Sequence, residues 1–463
     1  MAATLGGLTL STGDSVLAAR FDWASQQALA YVHDGSDPVG KWYEAALPDR
    51  EAFCMRDVAH QTGGANPLGL QEHNKNMLYK FALNISESKD WCSYWEINRY
   101  DQPAPVDYAN DDEFWYNLPA NFDVLDACYR QFLWTGDSDY VNDPVFLNFY
   151  DKTVNEYVER WQLSLDKILT RDRFMHTVKP LDSTKYFHIC RGLPGYDEGD
   201  PVNFYMGGDM FGIMYMAFND YASIQRLKGN LREAEKFGAK ANEIYQFFNQ
   251  KWWNEKEQKY YVKMLVDGTM LTGESRNYLR TNIAQHDNRF IKSLDGLSIG
   301  KGNVEGGSYL PKILYDYDRN ESGYEAIMDL SRPDKLRREY PEVSYGVIEG
   351  IVSGMLGLYA DAAKNTIKTM PHLTDKTAWV EIASIPILKS SITIRHQGNN
   401  STTFTNQRGE MVKWSAGFPG EYKQLIVNGD KVKATLGKTI SGATYSWVEV
   451  SVTAGKLIKV TTI

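Results

Sequence analysis

Cysteine is scarce and scattered in this chain. Cys54, Cys92, Cys128 and Cys190 stand far apart, with no Cys-x-x-Cys and no zinc-type histidine spacing. They read as buried free thiols, because an unreacted cysteine packs as a small hydrophobe. Clustered positive charge is absent too. Against 59 Asp and Glu stand 50 Lys and Arg, leaving a net charge of −9 and no basic patch. The electrostatic footprint of a nucleic-acid partner is therefore missing. No apolar run approaches the roughly 20 residues that span a bilayer, so membrane insertion is not expected. The eight histidines form no metal set. "GGDMFG" and "EGGS" follow no strand, as a phosphate loop would, so neither a metal nor another cofactor is expected. The opening "MAATLGGLTLSTGDS" carries neither the charged n-region nor the long h-region of a signal peptide. A secreted or periplasmic location, with a leader absent from this sequence, is the expectation, with the cytoplasm as the other choice. Oligomeric state is not legible at this level.

What the chain does have is rings. There are 12 Trp, 29 Tyr and 19 Phe in 463 residues. Aromatic faces stack on the C–H faces of sugars and their polar tips reach hydroxyls, although core packing uses the same residues. The length exceeds one simple core unless that core is a large ring, and two domains are the natural division.

Up to about residue 360 the pattern is helical hairpins. "NFDVLDACYRQFLWTGDSDYV" has apolar residues at helical spacing and then a Gly-Asp stop, and "NFYDKTVNEYVERWQLSL" runs back. "GGDMFGIMYMAFNDYASIQRLKGN" followed by "LREAEKFGAKANEIYQFFNQKWW" repeats the theme, and "VEGGSYLPKILYDYD" and "YGVIEGIVSGMLGLYADA" supply later helices. Repeated hairpins stack around a shared core. After about residue 375 the texture turns to strands, as in "WVEIASIPILKSSITIRHQ" and "SWVEVSVTAGKLIKVTTI", with turns at "QGNN" and "NGD". The expected fold is mainly α: an (α/α)6 toroid of helical hairpins over residues 1–372, then a small antiparallel β-sandwich over 373–463. Residues 96–118, 172–206 and 257–304 are too long and too rich in polar and aromatic side chains for plain connectors, which suits site-building loops.

Several stretches carry chemistry. "GLPGYDEGDP" sets Asp197 and Glu198 on a Gly-flanked tip before a helix, with Tyr196 beside them to stack on a ligand or to desolvate a carboxyl. A solvated acidic turn complementing the helix dipole is the plainer reading. "RREYPEVSYGVIEG" places Glu342 after Pro341 at a loop-to-helix junction, with Glu349 seven residues on; a capping carboxylate is the alternative. "NDDEFWYNLP" groups Asp112, Trp115 and Tyr116, either as a stacking face with hydroxyl acceptors or as a helix cap with a hydrophobic staple. Glu305 in "NVEGGSY" is a further candidate for the cavity wall. "LPDREAFCMRDVAHQ" mixes six polar or charged side chains with Phe53, Cys54, Met55 and Val58. If it is helical, Arg50, Cys54, Asp57 and Gln61 share one face, while Arg56 and His60 form an (i, i+4) pair.

Taken together, "WYEAALPDREAFCMRDVAHQ", "DDEFWYNLPANFDVLDACYRQFLWTGD", "GLPGYDEGDPV", "WWNEKEQKYYVKMLVDGTM" and "REYPEVSYGVIEGIVSGMLGL" make the chain resemble the six-hairpin glycosidase superfamily. The likeness is to α-L-rhamnosidase-like and uncharacterised bacterial members, and it covers most of residues 20–370. The Asp-Cys-Pro-x-Arg-Asp-Glu run of classical rhamnosidases is absent, so the resemblance points to no particular sugar. It implies a general acid on the mid-chain acidic loop, Glu198 or Asp197, and a base at the late helix entrance, Glu342. It also implies that an Arg-Asp pair holds hydroxyls of the terminal sugar. Arg56, Asp57, His60 and Gln61 are expected in that role, with Asp112, Trp115, Tyr116 and Tyr196 as further substrate-binding residues.

The function so implied is an exo-acting, inverting glycoside hydrolase that removes a terminal sugar from an oligosaccharide or glycan with paired carboxyl groups. Two other classes fit the same residues. A polysaccharide lyase would recruit Tyr116, His60 and Arg56 for β-elimination from a uronate. A non-catalytic glycan-binding protein would keep the aromatic pocket without turnover.

Overall fold

The computed structural model describes residues 7–45, 50–172, 191–199 and 203–463. Its helices begin and end where side-chain chemistry meets the orphan backbone groups of a terminus. Asp14 accepts the amides of Val16 and Leu17 to open Ser15–Ala30. Pro119 occupies the first turn of Pro119–Thr135, and Gly136 closes that helix with φ of 68°, a left-handed conformation that glycine adopts without Cβ strain.

Met55–Ala65 packs on Pro119–Thr135, which packs on Gly208–Leu227. Contacts pass from there to Arg276–Arg280, to Leu310–Asp316, to Pro341–Glu349, and back to Met55–Ala65. Other helices lie against members of that circuit: Ser15–Ala30 on Pro341–Glu349, Gln71–Leu83 on Met55–Ala65, Leu231–Lys251 on Gly208–Leu227, and Asn320–Ser331 on Leu310–Asp316. Close approach needs bare backbone at one seam. A Cβ on Gly64 would drive into the carbonyl of Tyr345, so only glycine lets Met55–Ala65 meet Pro341–Glu349 at this separation. Among the described residues, no helix is long and apolar enough to cross a membrane.

The stretch 257–304, read above as a long site loop, holds regular structure. Lys259–Leu265 and Met270–Thr272 pair as an antiparallel hairpin, and the short helices Arg276–Arg280 and Asn288–Asp295 follow. Its alternation was masked because both faces of the hairpin carry mixed polar and apolar side chains.

The C-terminal region is β, as the sequence indicates. Among the described residues, one sheet has seven strands in the order Thr9–Thr12, Trp379–Ile387, Ser390–Gln397, Ser401–Arg408, Lys456–Thr461, Gln424–Val427 and Asp430–Lys433. A second has five: Tyr359–Asp361, Thr366–Thr369, Val412–Pro419, Thr444–Val452 and Thr435–Lys438. Phe404 of the first sheet stacks on Trp414 of the second, with ring centroids 5.0 Å apart. Two features depart from the expected antiparallel unit. Thr9–Thr12, from the start of the chain, pairs with Trp379–Ile387. Thr366–Thr369 runs parallel to Val412–Pro419, because the chain leaves to lay three strands in the other sheet before returning. Neither pairing has a local sequence signal.

Cys54, Cys92 and Cys128 are buried free thiols. Cys190 lies outside the described residues.

Candidate active site

The helical reading of "LPDREAFCMRDVAHQ" holds from Met55 onward. Ala52–Cys54 is instead a strand paired with Glu96–Asn98, and the helix Met55–Ala65 starts directly after it. Arg50 therefore does not share a helical face with Asp57 and Gln61. Its guanidinium pairs with Glu96, which is buried beside Asp107. Leu47, Pro48 and Asp49 lie outside the described residues. What remains is one turn of helix whose polar side chains point at other helix ends.

Arg56 is the hub. Its Nη1 donates to Glu198 Oε1 at 3.2 Å and its Nε to Asp57 Oδ1 at 3.1 Å. Its guanidinium lies 5.9 Å from the centroid of the Trp95 ring and 5.4 Å from that of Tyr196, so two π faces hold it as well. Asp57 and Glu342 both sit in the first turn of their helices, where the dipole favours negative charge.

Burial raises the proton affinity of both candidate catalytic carboxyls. Glu342 is buried; desolvation, reinforced by Asp57 and Glu305 and opposed by Arg56, pushes it up to about 8. Glu198 is raised by burial too, but the Arg56 guanidinium opposes that rise. Asp57 and Glu305 act on both groups, so Glu198 and Glu342 flank one acidic cluster around Arg56.

A second network adjoins the first through Tyr196. Its hydroxyl donates to Asp123 Oδ2 at 2.6 Å, and Arg280 Nη2 donates to Asp123 Oδ1 at 3.1 Å. His60 Nε2 lies 3.3 Å from Asp123, while His60 Nδ1 is 2.8 Å from the Tyr309 hydroxyl. Burial alone would raise Asp123, but Arg280 and His60 outweigh it and hold the carboxyl well below the usual range. Burial lowers His60 despite that neighbour. The backbone N–H of Tyr196 donates to Asp209 Oδ2 at 2.8 Å, which ties the loop bearing Glu198 to the start of Gly208–Leu227. Asp209 is half-buried, and desolvation pushes it up to about 6 even against its amide donors, Tyr196 and Met210.

The other expected residues fall in different places. Asp197 pairs with Lys263 and accepts the Gly199 amide at 3.2 Å, so it fastens the loop rather than facing Arg56. Gln61 is buried, and its amide has no hydrogen-bond partner among the described residues. Asp112 is exposed in a turn, its N–H bonded to Asn110 Oδ1 at 2.9 Å. Trp115 and Tyr116 were expected to offer stacking faces, and this needs correction. Both are 0% exposed. The Trp115 indole donates to Asn117 Oδ1 at 2.7 Å, and the Tyr116 hydroxyl contacts Met55 Sδ at 3.0 Å. These rings turn inward ahead of Pro119–Thr135 and join the core.

Sequence reasoning missed Asp123, Asp209, Arg280 and Tyr309. Asp123 had a signal: Asp123, Asp126 and Arg130 recur at helical spacing among the apolar residues of Pro119–Thr135. Arg280 and Tyr309 had none, since their partners lie on elements far away in the chain.

No family model matches the chain, and no curated protein matches it. Solved structures do share its fold. A GH78-family rhamnosidase of Bacillus sp. GL1 aligns with a TM-score of 0.60 at 13% identity, over 86% of this chain and 40% of that one. An α-L-rhamnosidase from Dictyoglomus thermophilum gives a TM-score of 0.61 at 12% identity, over 98% and 50%. A rhamnosidase from Klebsiella oxytoca, with rhamnose bound, gives 0.50 at 11% identity, over 77% and 66%. The chain thus has a fold in common with these rhamnosidases, and it spans half or less of the length of the first two.

Proposed function

We propose that this protein is a glycoside hydrolase that removes a terminal sugar with inversion, using Glu342 and Glu198 as its proton-transfer pair. The observation that carries the reading is the unequal environment of these two carboxyls around Arg56. Glu342, pushed up to about 8 by burial, holds its proton at neutral pH. Glu198, 3.2 Å from a guanidinium, is the group favoured as carboxylate. A carboxylic acid beside a carboxylate is what glycosidic cleavage requires. The acid role goes to Glu342 and the base role to Glu198, the reverse of the order implied by family resemblance. Arg56, Asp57, His60, Gln61 and Tyr196 would bind the sugar, because fixed donors and acceptors discriminate strongly among hydroxyl patterns.

Supporting the architecture, the helix contacts run in a circuit that returns to Met55–Ala65, which we read as an (α/α)6 toroid. The division near residues 372 and 373 is retained as a proposal, with Thr9–Thr12 and Tyr359–Thr369 lent to the β part. A secreted or periplasmic location is proposed on the class of substrate alone.

The roles are separable by substrate chemistry. Glu342→Gln should lose about 10²–10⁴ in turnover on natural glycosides and recover most of it on aryl glycosides with good leaving groups, which need no acid. Glu198→Gln should show no such recovery and should be rescued by azide. The opposite pattern would exchange the roles, and near-wild-type turnover in both variants would sink the hydrolase reading. A second reading, β-elimination from a uronate, draws on the His60–Tyr309 pair at 2.8 Å. It predicts an unsaturated, ultraviolet-absorbing product and loses Tyr116, which is buried in the core.

A further inference from the structure

Among the described residues, large clefts also lie away from the acidic cluster. One cleft of about 690 Å³ opens between the five-stranded sheet and the far ends of the helices, a size suited to a small ligand. Asp123 in the acidic site and Leu133 in this cleft share one helix, and their ten-residue separation sets the two about 15 Å apart along it.

The sheet side of the cleft is built by strand alternation. Tyr445, Trp447 and Glu449 fall on one face of Thr444–Val452. Gly417 stands opposite Trp447, so that ring has no side chain across the strand pair, and Ser415 stands opposite Glu449 with Lys368 beside it. Tyr129, Asp316 and Tyr359 line the cleft as well. Rings on one side and hydroxyl, ammonium and carboxylate groups between them match the alternating C–H faces and hydroxyls of a sugar chain.

Unmet polar groups point the same way. Among the described residues, the Trp447 indole N–H, the Tyr445 hydroxyl, the Lys368 ammonium and the Glu449 carboxylate have no side-chain partner. His372, 6% exposed, also lines the cleft. Its Nδ1 lies 2.9 Å from the Gly354 carbonyl and so carries the proton, which leaves Nε2 as a buried acceptor with no partner among the described residues. A folded protein rarely leaves such a group unmet without a ligand or water. Charge is balanced: Lys364, Lys368 and Lys438 face Asp316, Asp361 and Glu449. A phosphate or polyanion has no excess of cations to meet here.

We propose that this cleft is a second glycan-binding site, taking a neutral oligosaccharide and independent of the acidic cluster. It would hold a polymeric substrate or product while the other end of the helices works on a terminus. Affinity electrophoresis of the full chain through gels containing galactomannan, xyloglucan or arabinan tests it, with sedimentation velocity of the same samples. Retardation is expected in at least one gel, weakened about tenfold by Trp447→Ala and measurably by the paired exposed changes Lys368→Ala and Glu449→Ala. Glu198→Gln should migrate like the parent, which separates this site from the catalytic reading. Thermal midpoints of the variants check that they fold, and the exposed pair keeps the test alive if Trp447→Ala does not. No retardation in any gel, or retardation indifferent to both sets of changes, overturns the proposal. Self-association abolished by Trp447→Ala, without a glycan effect, would give this face to a second copy instead.

Discussion

Two short stretches look alike in composition and do opposite things. Residues 56–61 and residues 111–117 each mix acids or amides with apolar or aromatic neighbours. The first puts Arg56 against Glu198 and His60 against Asp123 and Tyr309. The second buries Trp115 and Tyr116 completely and leaves Asp112 in solvent. The difference lies in what surrounds the helix start. Met55–Ala65 packs against both Pro119–Thr135 and Pro341–Glu349, and Arg56 and His60 meet polar groups brought from other elements. The rings before Pro119 meet Met55, Trp95 and Phe114 and join the core. Composition identifies side chains able to bind a sugar; position decides whether a sugar can reach them.

That contrast can be broken. The largest expected effect is on stability: Trp115→Ala should cost about 3–5 kcal/mol of unfolding free energy, measured by denaturant titration, while KM of the folded fraction stays put. A KM rise without destabilisation would return Trp115 to the binding site. Next, Arg56→Ala should lower kcat/KM by about 10–100-fold, the cost of unpairing a buried charge. Arg56 opposes the burial-driven rise of Glu198. Removing it lets Glu198 keep its proton to higher pH, so the acidic limb of the pH–rate profile should move upward. An unmoved limb would detach Arg56 from the base. Smallest, Asp112→Asn should leave kcat/KM within about twofold, as surface changes away from a site generally do; a larger loss would reopen the second stretch as part of the site.

Much of the fold was legible because it rests on short-range pattern. Helical spacing, the Gly136 stop and the late alternation of Val and Ile fix element type locally. Loop-borne chemistry was partly legible: Gly195 and Gly199 advertise a tight acidic tip, and Pro341 marks the entrance that carries Glu342. Asp197 was read with Glu198, yet the two diverge, one to Lys263 and one to Arg56. Adjacent residues in an extended tip point to different sides, so their neighbours could not be shared.

By itself, then, the sequence determined the helical hairpins, the strand-rich ending, the lack of a basic cluster or a long apolar run, and a short menu of carboxyls. Its information is periodic and local, which suffices for those. Only the tertiary structure decided that Thr9–Thr12 joins a sheet with residue 383, that Asp123 and Arg280 meet, and that Trp115 is core. It also decided where a proton rests. Glu198 and Glu342 are chemically identical side chains, and burial raises both, while Glu198 alone of the two accepts a hydrogen bond from Arg56. Proton affinity depends on desolvation and on charges brought together from distant parts of the chain, and neither is written in the spacing of residues along it.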